Sequence, residues 1–157
     1  SILAAVLHLI FHALGKIMLF LSAGIIATQT GIKNVSEMNN LSSKLPITCL
    51  LMTIGAIIMI GLPPTIGFIS KWYLLLGIME SENLYLLIII ILSTLLNASY
   101  YFPMIYKSYF EKAKFDYKSP SCEDMPLAFP VIIVGFIAVI LFFKTDFIIK
   151  FITENII

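Results

Sequence analysis

The sequence contains no arginine, few charged residues and two cysteines. Charged residues make up 12% of its 157 residues and hydrophobic residues 60%, whereas a soluble domain is about a quarter charged and about half apolar. A chain of this length could not hide so much apolar surface in a core of its own, because small domains leave much of their surface in water. The composition therefore predicts an integral membrane protein.

The low net charge and the sparse cysteines argue against several classes of function. A formal net charge of +1 gives no electrostatic basis for binding nucleic acid. Cys49 and Cys122 lie far apart without a Cys-x-x-Cys pair, so the sequence predicts neither a disulfide framework nor a cysteine metal site.

Long hydrophobic segments predict helices that cross a bilayer, whose apolar core takes about 20 helical residues. The segments do not alternate as the strands of a membrane barrel would. We expect an all-α integral membrane bundle of about five transmembrane helices. The segments are residues 2–28, 46–60, 63–79, 84–106 and 127–143, and an amphipathic tail extends to residue 157.

The chain starts inside a hydrophobic segment, without a methionine and without a basic flank typical of a signal peptide. We therefore expect residues 1–157 to form a single transmembrane domain that is the C-terminal part of a longer subunit.

The third segment combines Pro63, Pro64 and Gly67 shortly before Lys71. Proline removes a helical hydrogen bond and glycine weakens the helix around it. A short span interrupted in this way is typical of the broken helices that line cavities in transporters. The alternative is an ordinary turn, with the two prolines in the first turn of the helix. We expect the third helix to be broken between Gly67 and Trp72.

His8, His12 and Lys16 follow one another at a spacing of four residues, so they share one face of the first helix. They extend over about 12 Å of helix. Ionisable groups within a membrane span are costly, and they face the bundle interior or water. We expect these three residues to line a polar path. The alternatives are a hydrogen-bonded interior histidine and a lysine that extends to the membrane surface.

Lys71 is a second lysine inside a hydrophobic segment. Its neighbours Trp72 and Tyr73 are typical of a membrane interface, and in that case Lys71 would reach the surface. An interior Lys71 would be a titratable site, because desolvation disfavours the charged ammonium and lets a buried lysine exchange protons near neutral pH. Histidine titrates in that range without help. The two lysines and two histidines together predict a proton relay.

The same residues predict neither haem nor zinc. Two histidines on one helix face cannot occupy opposite axial positions of one haem. Zinc would need further ligands, and the other cysteines and acidic residues are isolated or lie in loops. We expect no cofactor, no metal and no catalytic site in this chain.

Two motifs resemble proton-conducting antiporter-like membrane subunits. The motifs are His8-Leu-Ile-Phe-His12-Ala-Leu-Gly-Lys16 and Gly61-Leu-Pro-Pro-Thr-Ile-Gly67-Phe-Ile-Ser-Lys71. This superfamily includes the large antiporter-like subunits of respiratory complex I, related hydrogenase subunits and the Mrp monovalent cation/proton antiporters. Residues 96–103, followed by Tyr106 and Lys107, are most similar to the D-type subunit of the Mrp antiporters.

The resemblance implies translocation of protons, with Na⁺ as a further candidate ion, by a multi-subunit complex in a bacterial inner membrane. Lys16 and Lys71 would belong to a proton half-channel, with His8 and His12 on the same polar axis, and the third segment would be a broken helix. The partners would be other membrane subunits and the lipid bilayer.

Two alternatives stay open. One is a proton-pumping subunit of an NADH:quinone oxidoreductase or a membrane-bound hydrogenase, although nothing in the sequence resembles a site for NADH, flavin or an iron–sulfur cluster. The other is a purely structural membrane anchor, which the row of ionisable residues disfavours.

The lysines also predict which loops share a side of the membrane. The loop after the fourth segment would be cytoplasmic by the positive-inside rule. Strict alternation of five crossings would place Lys33, Lys44, Lys144 and Lys150 on the opposite side, which cancels most of that bias. The lysines of the loop are Lys107, Lys112, Lys114 and Lys118.

Overall fold

The computed structural model describes residues 2–80, 83–112 and 123–155, and no strand occurs in these ranges. The prediction of an all-α bundle is confirmed, and each of the five hydrophobic segments forms a helix. The α-helices of the described ranges are α1 (Ile2–Thr30), α2 (Pro46–Ile60), α3 (Ile66–Glu80), α4 (Leu84–Phe110), α5 (Met125–Phe143) and α6 (Thr145–Asn155).

The helices differ in their capacity to cross a bilayer. With 29, 27 and 19 residues, α1, α4 and α5 are long and apolar enough to do so. α2 and α3 have 15 residues each, which gives about 22 Å at 1.5 Å per residue. Neither α2 nor α3 alone spans the apolar core, which is about 30 Å thick.

α1 is the central helix of the bundle and contacts α2, α3 and α5. A Cβ atom at Gly15 would lie 3.0 Å from Ile58 Cγ2, and one at Gly55 would lie 3.1 Å from Met18 Cβ. Small residues allow membrane helices to approach closely, which is a main source of their association. The two pairs also show that α1 and α2 are antiparallel.

α2 and α3 run in the same direction. Gly67 packs against Ile58, and farther along α3 the side chain of Lys71 reaches Ile60, so the residue numbers rise together in both helices. Residues 61–65 between them are not helical. The two half-helices therefore follow one another across the bundle and make one interrupted crossing.

The interruption lies earlier in the sequence than predicted. A break between Gly67 and Trp72 is wrong, because α3 is continuous from Ile66 to Glu80. Pro63 and Pro64 lie in the connection and not in the first turn of α3.

The prediction was wrong because Gly67 allows α3 to pack closely on α2 and does not interrupt α3. A Cβ atom at this position would overlap the carbonyl oxygen of Ile58. The start of α3 is stabilised by Thr65, whose hydroxyl donates to Leu62 O at 2.7 Å and accepts from the N–H of Phe68 at 3.4 Å. Such side-chain bonds satisfy backbone groups that have no partner within the helix.

α4 lies antiparallel to α2. At the middle of α2, Thr53 Oγ1 lies 3.4 Å from the hydroxyl oxygen of Tyr109 near the end of α4. Near the end of α2, Ala56 and Ile60 pack against Tyr101. Among the described helices, α4 packs mainly on α2 and α3, and most of its residues are exposed or half-buried in this chain.

α5 returns along α1 in the opposite direction. The N–H of Asp124 donates to Gln29 Oε1 at 3.4 Å, and Gly135 lies against Leu51 and Met18. The amphipathic α6 then packs back on α1.

The connections that follow α1 and α4 lie on the same side of the bundle. The N–H of Asn40 donates to Lys107 O at 3.1 Å. The Glu123 carboxylate accepts the N–H groups of Ile47 and Thr48 at 2.9 and 2.7 Å, and also the Thr48 hydroxyl. A carboxylate at a helix N-terminus stabilises the helix, and here it fixes the end of the α4–α5 connection to α2.

This arrangement corrects the predicted sidedness. Lys33 and Lys44 lie on the same side as Lys107, because α2 and α3 make one crossing and not two. Lys114 and Lys118 fall outside the described residues.

The packing of α3 on α2 gives a test with a matched control. We expect Gly67→Ala to lower the free energy of unfolding by about 1–3 kcal/mol, the usual cost of overpacking, because the Ile58 backbone cannot move aside. Gly24 has nothing within 4 Å of its Cβ position. Gly24→Ala should leave stability unchanged or raise it by about 0.5–1 kcal/mol. Unfolding of the complete protein in detergent measures both, and equal stabilities would contradict this packing.

Candidate functional site

Lys71 is half-buried between α2, α3 and α4. Its Nζ donates to the carbonyl oxygen of Ile60 at 2.7 Å and to Thr94 Oγ1 at 3.0 Å. The neighbouring Trp72 is 51% exposed, and its ring stacks on that of Phe68 with 6.0 Å between the centroids. Lys71 therefore lies inside the bundle and does not extend to the surface beside Trp72.

The bond to Ile60 satisfies the end of a half-helix. The last four carbonyl groups of a helix have no intrahelical partner, and in lipid an unsatisfied backbone group costs several kcal/mol. Ile57 O accepts from the N–H groups of Gly61 and Leu62 at 2.8 and 3.2 Å, and Ile60 O accepts from Lys71. An ammonium also interacts favourably with the negative end of the helix dipole.

Gly61 makes room for Lys71. This residue ends α2 with a φ of 81°, in the left-handed region that favours glycine. A Cβ atom here would lie 2.6 Å from Lys71 Cδ and 3.1 Å from its Cε. The Gly61 position therefore combines a backbone requirement with space for the lysine side chain.

His8 is half-buried and contacts Ser70 on α3, with Nδ1 and Oγ 3.1 Å apart. Ser70 is 1% exposed, and its hydroxyl donates to Gly67 O at 3.0 Å. Since Ser70 and Lys71 are adjacent in sequence, the first turns of α3 bring the two predicted groups of ionisable residues together.

His12 extends the row along α1. Its ring centroid lies 5.4 Å from that of His8. His12 is within electrostatic range of both Lys16 and Lys71, and His8 is within range of Lys71 as well. His8, His12 and Lys71 thus lie near one another where α1 packs on α3, and Lys16 follows one turn farther along α1.

Lys16 is exposed in this chain, so the expectation that it faces the bundle interior is not met by these helices alone. It lines an open cavity of about 650 Å³ between α1, α2, α4 and the connection after α1. Tyr100 and Tyr101 line the same cavity, and Lys33 lies at its other end, beyond the end of α1.

Two residues of the site, Ser70 and Thr94, were not predicted from the sequence. Both are uncharged hydroxyl residues inside hydrophobic segments, whereas the prediction considered only ionisable groups. Ser70 meets His8 only through the packing of α3 on α1, and Thr94 meets Lys71 only through the packing of α4 on α3.

The side chains of this site are of types that can bind and exchange protons. Imidazole, amine and hydroxyl groups can each exchange one hydrogen-bonded proton for another. Among the described residues, no group of three His, Cys, Asp or Glu side chains could hold a metal ion.

The contact between Gly61 and Lys71 gives a second matched pair of variants. Gly31 also has a positive φ, of 76°, but nothing lies within 4 Å of its Cβ position. An alanine in the left-handed region costs about 1–2 kcal/mol at either site. We expect Gly61→Ala to cost about 1–3 kcal/mol more than Gly31→Ala, because a displaced Lys71 leaves the Ile60 carbonyl unbonded. Unfolding in detergent measures the difference, and equal costs would show that Lys71 does not stabilise this helix end.

Comparison with known proteins identifies the family. A family model described as "NADH:quinone oxidoreductase/Mrp antiporter, TM" matches residues 1–97. The N-type subunit of the NADH-quinone oxidoreductase of Desulforudis audaxviator is 40% identical over 69% of this chain and 22% of its own length. The A-type subunit of the Na(+)/H(+) antiporter of Alkalihalophilus pseudofirmus is 30% identical over 91% of this chain and 19% of its own length. The chain thus spans about a fifth of these relatives.

A solved structure shares the fold. A chain of the membrane-bound sulfane sulfur reductase, an archaeal respiratory membrane complex, superposes with a TM-score of 0.86 over 98% of this chain and 31% of its own length, at 23% identity. The named relatives are A-type and N-type subunits, so the resemblance to the D-type subunit in particular stays a prediction. The family match and these relatives together show that the chain belongs to the NADH:quinone oxidoreductase/Mrp antiporter family of membrane subunits.

Proposed function

We propose that this chain translocates protons across the membrane as part of a multi-subunit complex, and that protons occupy Lys71, His8, His12 and Lys16 in turn. The observation that carries the proposal is the position of Lys71. It lies at the interruption between α2 and α3, within electrostatic range of both histidines.

The geometry around Lys71 tolerates a change in its charge. An ammonium has three N–H donors, and two of them bond to Ile60 O and Thr94 Oγ1. A neutral amine retains two N–H groups, so both bonds can persist after one proton has left. The helix end therefore stays satisfied in both protonation states, and the third position is free to exchange a proton.

Water completes the path along α1. Each step of four residues rises about 6 Å, which is longer than a direct hydrogen bond of about 2.7–3.2 Å. Bridging waters transmit such contacts at little cost. Beyond Lys16 the open cavity leads towards Lys33, which offers a route to one face of the membrane.

We infer from the distribution of the lysines that this face is cytoplasmic. Short loops on the cytoplasmic side are enriched in lysine. Lys144 and Lys150 lie beyond the opposite end of α5. We propose a bacterial inner membrane, with this side inward. The described lysines on this side are Lys33, Lys44, Lys107 and Lys112.

Two driving reactions are compatible with the same helices. The relatives include one subunit of an antiporter and one of an NADH-quinone oxidoreductase. In the first case, added Na⁺ drives proton movement, and in the second, oxidation of NADH does so. Formation of a pH gradient in inverted vesicles that contain the complete complex, after addition of NaCl or of NADH, distinguishes the two functions.

Substitutions of Lys71 distinguish two roles for this residue, namely a proton-transfer site and a cap that only stabilises the end of α2. We expect Lys71→Ala to reduce proton translocation to about a tenth of the wild-type rate or less, since one positioned proton-transfer group contributes about 10²–10⁴-fold. Lys71→Arg can still donate to Ile60 O, but arginine holds its proton at physiological pH. It should therefore restore stability without restoring transport. Vesicle pH gradients and native gels of the complex measure the two properties.

Lys150 is the matched control, because it is an exposed lysine on α6 whose side chain is 76% accessible and pairs weakly with Glu154. Lys150→Ala should leave transport unchanged. Full transport by Lys71→Arg would show that Lys71 only caps α2.

Lys16 allows an independent test of the relay. We expect Lys16→Arg to retain assembly, because the side chain is exposed into the cavity and the charge is kept, but to lose most of the transport rate. Arginine cannot release a proton to the path. Vesicle assays on the assembled complex measure the rate, and a wild-type rate in Lys16→Arg would remove Lys16 from the path.

A further inference from the structure

Ser70 makes two hydrogen bonds that constrain each other. Its hydroxyl has a single proton, and the geometry directs that proton to Gly67 O at 3.0 Å. Serine in a helix commonly bonds back to the preceding turn in this way. Towards His8 Nδ1, 3.1 Å away, the same oxygen is then available only as an acceptor.

We propose that Ser70 is a positioning residue that keeps the proton of neutral His8 on Nδ1 and leaves Nε2 as the atom that takes up and releases protons. A neutral imidazole has one N–H, and the partner of one nitrogen decides which nitrogen bears it. Because Ser70 is 1% exposed, water does not compete for its oxygen.

The contact between Ser70 and His8 is linked to Lys71 by the position of Ser70 in α3. Ser70 precedes Lys71, so the turn of α3 that holds Lys71 at the end of α2 also orients the ring of His8 on α1. A ring held in one orientation offers the same nitrogen in every cycle. The consequence for transport rests on the proposed relay, whereas the assignment of the proton to Nδ1 does not.

The competing arrangement is defined by the same atoms. If the Ser70 hydroxyl turned towards His8, it would donate to Nδ1, and the imidazole proton would lie on Nε2. Ser70 would then give up its bond to Gly67 O. The two arrangements differ in an observable, namely which ring nitrogen is protonated.

His12 provides an internal reference, because it is the second of the two histidines in the chain. Of these two described histidines, His8 is the one whose ring makes a side-chain hydrogen bond. Solid-state NMR of the ¹⁵N-histidine-labelled complete complex in lipid, at a pH where both rings are neutral, reports the protonated nitrogen. Signals lost in His8→Gln and in His12→Gln assign the two rings.

We expect His8 in the wild type to be protonated on Nδ1. Ser70→Ala should lower the ratio of the Nδ1–H to the Nε2–H form of His8 by about fivefold, the size that loss of one ordinary hydrogen bond gives. The His12 signals should not change. Ser70→Thr retains the hydroxyl and should restore the wild-type ratio.

Ser108 is the matched control, since it is fully buried and donates to Met104 O at 2.8 Å on α4, apart from either histidine. Ser108→Ala should leave the His8 ratio unchanged. A wild-type His8 protonated on Nε2, or an unchanged ratio in Ser70→Ala, would overturn the proposal. The protonated nitrogen of wild-type His8 tests the proposal even if the Ser70→Ala complex fails to assemble.

Transport assays on the same variants report separately on the proposed function. A shifted His8 ratio with unchanged transport would support the positioning role of Ser70 and remove His8 from the relay. An unchanged ratio with reduced transport would overturn the positioning role and leave the relay intact.

Discussion

The bond between the Lys71 amine and the last carbonyl of α2 is the contact on which the interrupted crossing depends. A chain cannot stop being helical inside lipid unless its freed backbone groups find partners. Here, Ile57 O takes two backbone donors, and Ile60 O takes Lys71. The glycines Gly61 and Gly67 leave the space that this arrangement needs. An ionisable residue is thereby held in the bundle interior by a structural requirement.

That requirement and the proposed proton chemistry are compatible, because they use different hydrogen atoms of one amine. The two bonds of Lys71 need two N–H groups, which both the charged and the neutral form possess. The Thr94 hydroxyl donates a hydrogen bond to Ile90 O at 2.9 Å and therefore acts towards Lys71 as an acceptor. The site can therefore change charge without a rearrangement of α2 or α4. Removal of the Lys71 side chain is therefore expected to affect folding and transport together. Only a substitution that keeps these hydrogen bonds can distinguish the two effects.

The sequence predicted the parts of this structure that follow from lipid as a solvent. Long apolar segments must be helical, and ionisable residues at four-residue spacing must share a face, so the helices and the row from His8 to Lys16 could be anticipated. The position of the interruption could not, because Gly67 looks like a weak point in a helix but is required by its contact with Ile58 O. Ser70 and Thr94 escaped notice for a similar reason, since an uncharged hydroxyl acquires a role only through its neighbour on another helix. The exposure of Lys16 likewise depends on which elements cover α1.

The central claim is that protons can pass between Lys71 and Lys16 along the two histidines. Its most direct test is a cryo-EM map of the complete complex in lipid, at a resolution that shows ordered waters. The account predicts a continuous chain of hydrogen bonds, through bridging waters, that joins Lys71, His8, His12 and Lys16 in at least one functional state. A row whose gaps are filled by apolar side chains in every functional state would contradict it.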